Sequence, residues 1–346
     1  MFDRPYADPY IIAEIGMNYE GSMERAKNMI SAVARAGGHA AKFQTYKAET
    51  LASVHNSPSY WDTTKEPTAS QFELFQRFDS FGPAEYRELA EHCESVGVDF
   101  LSTPFDLEAV DLLSPLMPAI KIASADLTNV PLLRKVAATG KPVILSTGAS
   151  THEEIEWALD TLEAAGAVEI SLLHCVLRYP TPEQHANLLG IQELQRRFGD
   201  RVQVGYSDHV APRASGATPA IEIAATLGSR VIEKHFTDDR TGVGNDHYHA
   251  IDEQGLAAFV AYLAELRTLA GTGVPNVDEQ GAAIKNARRR IFTSRPVAAG
   301  ESLREDNLIA LRADTGIEIA HWDRVVGRSS LNAKEAGEPI LEQDLD

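Results

Sequence analysis

Cysteine is scarce: Cys93 and Cys175 are the only two in 346 residues, and they form no CxxC pair. That excludes a disulfide scaffold and a thiolate zinc module, and it fits a reducing compartment. Both read as ordinary buried thiols. No apolar run approaches the roughly 18 residues of a membrane span, and the opening MFDRPYADPY lacks the basic-then-apolar order of a signal peptide. The expected location is therefore the cytoplasm, with no membrane partner. Positive charge is also short. Lys and Arg number 32 against 50 Asp and Glu, a formal net charge of −18. A field of that sign repels nucleic acid and anionic membranes, so an anionic substrate requires its own local basic pocket. The first apolar run is not followed by a GxGxxG opening a helix, which removes the main support for a doubly wound dinucleotide fold.

What the chain does contain is a repeat. Eight short apolar runs, YIIAEIG, HAAKFQT, VDFLSTP, AIKIAS, PVILST, EISLLHC, VQVGYS and RVIEKHF, alternate with amphipathic stretches. In SMERAKNMISAVARAGG, apolar Met23, Ala26, Met29, Ile30 and Val33 recur at helical spacing before Gly37-Gly38, a suitable C-terminal cap. Strands that read as near-continuous apolar runs are buried on both faces, and eight strand-helix units over about 260 residues have the size of a (β/α)8 TIM barrel. The expected barrel covers residues 1–270. GTGVPNVDEQ opens a turn-rich linker, 271–285. Residues 286–346 alternate β-rich pieces with turns and read as a small C-terminal β-rich domain, too small to bury much core alone.

Barrel active sites form at the C-terminal ends of the strands, and here those ends are polar. Lys42 and Lys121 lie inside apolar strands, where an unpaired ammonium costs several kcal/mol. A single such lysine is equally a snorkelling or ion-paired residue. Two, with Thr103, Ser124, Ser146 and Ser207 on nearby strand ends, predict a cationic, hydroxyl-rich floor for phosphate and carboxylate. Gln44 shares the face of Lys42 by the strand period of two. His209 and His235 end consecutive strands, which suits a divalent Mn, Zn, Co or Mg ion acting as a Lewis acid. A lone histidine there would read as a hydrogen-bonded core residue. Glu14 has two readings, a carboxylate beside the metal serving as base and a structural partner of Lys42. GVGNDHYHAID reads as an active-site loop in which Asp246 binds a sugar hydroxyl or the metal, while His247 and His249 are either functional or plain loop residues. Tyr179 precedes a proline-stiffened turn and either covers substrate or packs. Arg288, Arg289 and Arg290 read as a solvated or bridging face, and Arg312 as a turn residue able to reach outward.

IIAEIGMN, AAKFQTYKAETL, DFLSTPFD, IKIASADLTNVPLL, KPVILSTGAS, LLHCVLRYPTP, VGYSDHV, VIEKHFTDDR and GNDH together resemble the sialic acid synthase family, and RPVAAGESLREDNL, RADTGI, VVGR and AGEPI resemble its antifreeze-like (SAF) domain. The resemblance implies condensation of phosphoenolpyruvate with an N-acyl amino sugar such as N-acetylmannosamine, giving a nine-carbon 2-keto acid and phosphate. A 6-deoxy-diacetamido acceptor, leading to legionaminic or pseudaminic acid, is the alternative. It also implies a divalent metal, commonly Mn2+, on His209 and His235, with Glu14 as acid/base. Lys42, Thr103, Lys121, Ser124, Ser146 and Ser207 would hold phosphoenolpyruvate, with Gln44, Tyr179 and Asp246 on the sugar. A domain-swapped homodimer would bring Arg312 to the N-acyl group. Tyr19, Val176 and Leu177 depart from the common family pattern, and Arg178 is a candidate to replace the lost amide. Two rivals remain: a metal-dependent aldolase or sugar isomerase, which needs no anionic floor, and a carbohydrate- or ice-binding protein, which needs no converging histidines.

Overall fold

A computed structural model describes every residue of 1–346 except 65 and 245, so Asn245 of the GNDH motif lies outside the described residues. The chain divides into two compact units, Met1–Ala270 and Gly271–Asp346.

The first unit is the strand-helix repeat. β1 (Tyr10–Gly16) is buried along its whole length and is followed by α1 (Met23–Ala36). Ser22 caps α1 by accepting from the Arg25 amide, and Gly37, at φ 84°, closes it in the left-handed conformation that glycine adopts without a Cβ clash. β2 (Ala40–Thr45) is followed by two short helices, α2 (Ala48–Leu51) and α3 (Gln71–Gln76), before α4 (Pro83–Val96). Sequence periodicity had indicated no element between β2 and α4, because four- and six-residue helices are too short to display one. The pattern continues through β3 (Asp99–Pro104), α5 (Leu107–Leu113), β4 (Ile120–Ile122), α6 (Val130–Ala137), β5 (Val143–Ser146) and α7 (His152–Ala164). It ends with β6 (Ile170–Cys175), α8 (Leu189–Phe198), β7 (Gln203–Asp208), α9 (Pro219–Thr226), β8 (Val231–His235) and α10 (Glu253–Ala270).

All eight strands are parallel. Hydrogen-bonded ladders run β3-β2-β1-β8-β7-β6-β5-β4, and β3 packs beside β4 to bring the ends of the sheet together into a nearly closed (β/α)8 barrel. Register places Glu14 between Lys42 of β2 and His235 of β8, and aligns Ser207 with Glu233. Because side chains alternate, one face of each strand lines the barrel and the other meets the helices. Among the described residues no helix is long and apolar enough to cross a membrane.

The second unit has its own small core of Ile291, Val297, Leu303, Leu308, Ile317, Val325 and Ile340. Its only named sheet among the described residues pairs β9 (Arg289–Thr293) with β10 (Leu308–Arg312), antiparallel. Arg312 therefore ends a strand opposite Arg289 rather than sitting in a turn. The arginine run enters β9, where Arg290 pairs with Glu318 at 2.8 Å. Part of the expected linker is helical, since Gly281–Ala287, with three alanines and a lysine, forms α11. A last short helix, α12, spans Trp322–Val325.

Candidate active site

The C-terminal ends of the barrel strands surround a cavity open to solvent. Glu14, Lys42, Gln44, Thr103, Lys121, Ser124, Ser146, Tyr179, Ser207, His209 and His235 all line it. Eleven of the thirteen expected site residues thus share one space. Asp246 lines the adjoining chamber, together with Gln44, Tyr179 and His235. Arg312 belongs to the second unit, where it is exposed.

The floor is a set of buried charges. Lys42 is ion-paired with Glu14, lies 3.5 Å from Glu233 and donates to Thr103 Oγ1 at 3.2 Å. Lys121 Nζ is 3.9 Å from Glu233 and donates to the Ile122 carbonyl at 3.0 Å. Glu14 is thus the ion-pair partner of Lys42 and also lines the cavity. β1 bulges between Glu14 and Gly16, and Gly16 sits at φ 54°. A Cβ there would stand 3.3 Å from Glu14 Oε1 and 3.4 Å from Gln44 Nε2, so a glycine leaves room for the carboxylate and the amide that donates to it at 3.0 Å.

Burial raises Glu14 to about 7, against the Lys42 ammonium and with help from the Glu233 charge. Burial also lowers the Lys121 ammonium, and Lys42 beside it adds to that. Lys42 goes the other way, because Glu14 and Glu233 outweigh its desolvation. Glu233 is held below the usual range despite burial by Lys121, by Lys42 and by the Ser207 hydroxyl, which donates to it at 2.9 Å. Burial and the two lysines thus drive the two carboxylates in opposite directions. The hydroxyls complete the floor. Ser124 Oγ accepts from the Gly148 amide at 2.9 Å, leaving its proton to donate, and buried Ser146 Oγ has no hydrogen-bond partner among the described residues.

Above the floor three imidazoles converge. Ring centres of His209 and His235 are 5.4 Å apart, and His249 lies 4.7 Å from His235 and 6.0 Å from His209. Asp246 joins two of them, with Oδ2 3.3 Å from His235 Nδ1 and Oδ1 3.0 Å from His249 Nε2. His209 Nδ1 is bonded to the Val176 carbonyl at 2.9 Å, which leaves Nε2 for another partner. Burial lowers His209 to about 4 and His235 well below its ordinary value, so both stay neutral, the form that binds metal. His247 turns away from this group, to Thr237 at 2.7 Å. Tyr179 covers His209, ring centres 4.2 Å apart. Tyr60, Trp61, Leu74 and Phe75, from the β2–α4 segment, wall the adjoining chamber with Met17 and Tyr248.

Some participants were missed. Glu233 stands two residues before His235 on one strand, and the period of two could have found it. The β2–α4 aromatics left no periodic signal. Of the departures from family pattern, Leu177 lines the floor cavity and Tyr19 packs between Phe43 and Phe81; Arg178, the candidate replacement for the lost amide, is exposed.

A family model described as the NeuB family matches residues 29–275, and one for the SAF domain matches 288–346. The chain is 35% identical to the N,N'-diacetyllegionaminic acid synthase of Campylobacter jejuni, covering 94% of this chain and 97% of that one. It is 33% identical to the N-acetylneuraminate-9-phosphate synthase of Drosophila melanogaster over 75% of this chain and 68% of the relative. Among solved structures, the N-acetylneuraminic acid synthetase of Leptospira borgpetersenii, in complex with citrate, matches with a TM-score of 0.68 and 32% identity, covering 80% of this chain and 91% of that one.

Proposed function

The chain belongs to the NeuB family, the sialic acid synthases, and from that premise we propose that it condenses phosphoenolpyruvate with an N-acyl amino sugar and water to give a 2-keto acid and phosphate. The observation that carries this reading is the floor: two buried lysines and a set of hydroxyls face a cavity in a chain of net charge −18. An aldolase or isomerase has no use for such a floor, and a binding protein has no use for a carboxylate raised to about 7 beside it.

Phosphoenolpyruvate is placed with its phosphate and carboxylate on Lys42, Lys121, Thr103, Ser124, Ser146 and Ser207. The acceptor lies toward Gln44, Tyr179 and Asp246, its carbonyl below the imidazoles. The enol carbon C3 forms a bond to that carbonyl carbon, whose oxygen takes a proton from solvent, and the positive charge left at C2 is met by water, whose oxygen becomes the 2-keto oxygen once its second proton has passed to the departing phosphate. Glu14 accepts the proton of that water, and the C2–O bond to phosphate then breaks, with Lys42 and Lys121 stabilising the departing charge. His209 and His235, neutral and with a ring nitrogen to give, fit a divalent ion, as does the Asp246 carboxylate. When bound, such an ion supplies polarisation of the acceptor carbonyl.

The test is phosphate release with a panel of acceptors, N-acetylmannosamine and a 2,4-diacetamido-6-deoxyhexose among them. Release is expected only when phosphoenolpyruvate and one sugar are both present; no sugar dependence with any member overturns the reading. The resemblance further supports a swapped homodimer with Arg312 acting in trans. Co-expression of an Arg312→Ala chain with a Glu14→Gln chain should then restore activity in heterodimers, and heterodimers as inactive as either parent would sink the arrangement.

A further inference from the structure

His249 was left open by the sequence, and two observations now define it. It is fully buried, and among the described residues its one polar contact is Nε2 on Asp246, so the ring is aimed at that carboxylate although it sits at the barrel mouth, where a histidine without a task would turn to water. It also belongs to a compact donor set: one ligand atom each from His235, Asp246 and His249 lie within 4.8 Å of one another.

The spacing is that of a coordination shell. Adjacent ligand atoms on an octahedral ion at about 2.1–2.2 Å stand about 3 Å apart, and the Asp246 carboxylate meets His249 Nε2 at 3.0 Å and His235 Nδ1 at 3.3 Å. The rings agree. An imidazole bound at about 2.1 Å has its centre about 3.3 Å from the ion, so rings sharing one ion lie roughly 4.6–6 Å apart. The three separations among His209, His235 and His249 are 4.7, 5.4 and 6.0 Å. The compact donor set holds His249 with His235 and Asp246 and leaves out His209, whose ring centre is within the same range. We propose that His249, through Nε2, is a third imidazole ligand of the divalent ion together with His235 and the Asp246 carboxylate, and that His209 completes the shell by turning its ring to the ion. Four protein donors leave two octahedral positions for substrate oxygens, and such a shell retains its ion without substrate.

The inference rests on the reading that a divalent ion works at this mouth, and the test separates the two. The full-length protein, labelled with 15N-histidine, is stripped with EDTA, titrated with Mn2+ alone, and measured by calorimetry and by pulsed EPR of the bound ion. Three coupled imidazole nitrogens are expected in the unaltered chain. His249→Ala and His249→Asn should each remove one coupling and weaken Mn2+ binding at least about 100-fold, beyond the 10–100-fold typical of a residue that only orients a ligand. His247→Ala, equally buried but bonded to Thr237, should keep all three. Two couplings in the unaltered chain, or an unchanged count in a folded His249 variant, overturn the proposal while leaving the ion in place. A chain that binds no Mn2+ overturns both.

Discussion

Lys121 and Lys234 are equally buried, 3% and 2% exposed, on strands of one barrel, and they differ in what surrounds them. Lys234 points to the helix layer, where its Nζ lies 2.8 Å from Asp208 Oδ2 and donates to the Val210 carbonyl at 2.5 Å. The other Asp208 oxygen accepts from Tyr206 and from the Val210 amide, so each charged atom of the pair has a partner. Lys121 points into the barrel, has one carbonyl and a carboxylate at 3.9 Å, and faces open space. A buried charge that is saturated by its neighbours is part of the scaffold. One held short of partners beside a cavity is waiting for a ligand.

The largest effect is expected at the floor itself. Glu14→Gln should lower kcat by about 10²–10⁴-fold, the usual worth of a positioned acid or base. Acting as a base with a value of about 7, Glu14 is ionised above that pH, so kcat/KM should climb through neutrality and lose that limb in the variant. A limb that persists would place the titrating group elsewhere. On the scaffold side, Lys234→Met leaves the Asp208 carboxylate buried and unpaired, which should cost about 3–5 kcal/mol of stability. Chemical denaturation measures this, and the folded fraction should retain its KM for phosphoenolpyruvate.

Lys121→Met should do the reverse. Loss of a desolvated cation from an anion is worth roughly 2–5 kcal/mol, seen as a higher KM for phosphoenolpyruvate with little change for the sugar. If the sugar constant moves instead, the floor is not the anion site and the comparison with Lys234 fails. The smallest effect concerns His174, stacked on Tyr206 and lowered by burial. Its folded form refuses a proton that the unfolded chain accepts below about pH 6.5, so stability should fall as pH drops through that value. His174→Asn should flatten this slope in melts between pH 6.5 and 5, without altering substrate constants.

Most of the floor was legible because a strand has a period of two and barrel sites gather at strand ends. Lys42 with Gln44, Ser207 and His235 each followed from that rule. Glu233 obeys it as well and needed only to be counted. The walls of the adjoining chamber were not legible, since Tyr60, Trp61, Leu74 and Phe75 come from a segment whose helices are too short to repeat. His249 was ambiguous for another reason: a loop residue has no period, so its direction depends on the neighbours that fix the loop, here Asp246, whose amide donates to Asn18 Oδ1 at 3.2 Å.

By itself the sequence determined the parallel barrel, the polar strand ends and the change of pattern after residue 270, because these depend on local periodicity and on which residues tolerate burial. It also carried the family, through motifs distributed along both units. Tertiary structure alone decided how the charges divide. Glu14 and Glu233 are both strand carboxylates, yet one rises to about 7 and the other falls, since closure of β1 between β2 and β8 sets each one's distance to Lys42 and Lys121. The fold likewise brings the ring of His249 to 4.7 Å from that of His235, 14 positions earlier in the chain. Electrostatic and ligand geometry depend on separations of a few ångströms, and those exist only once the barrel has formed.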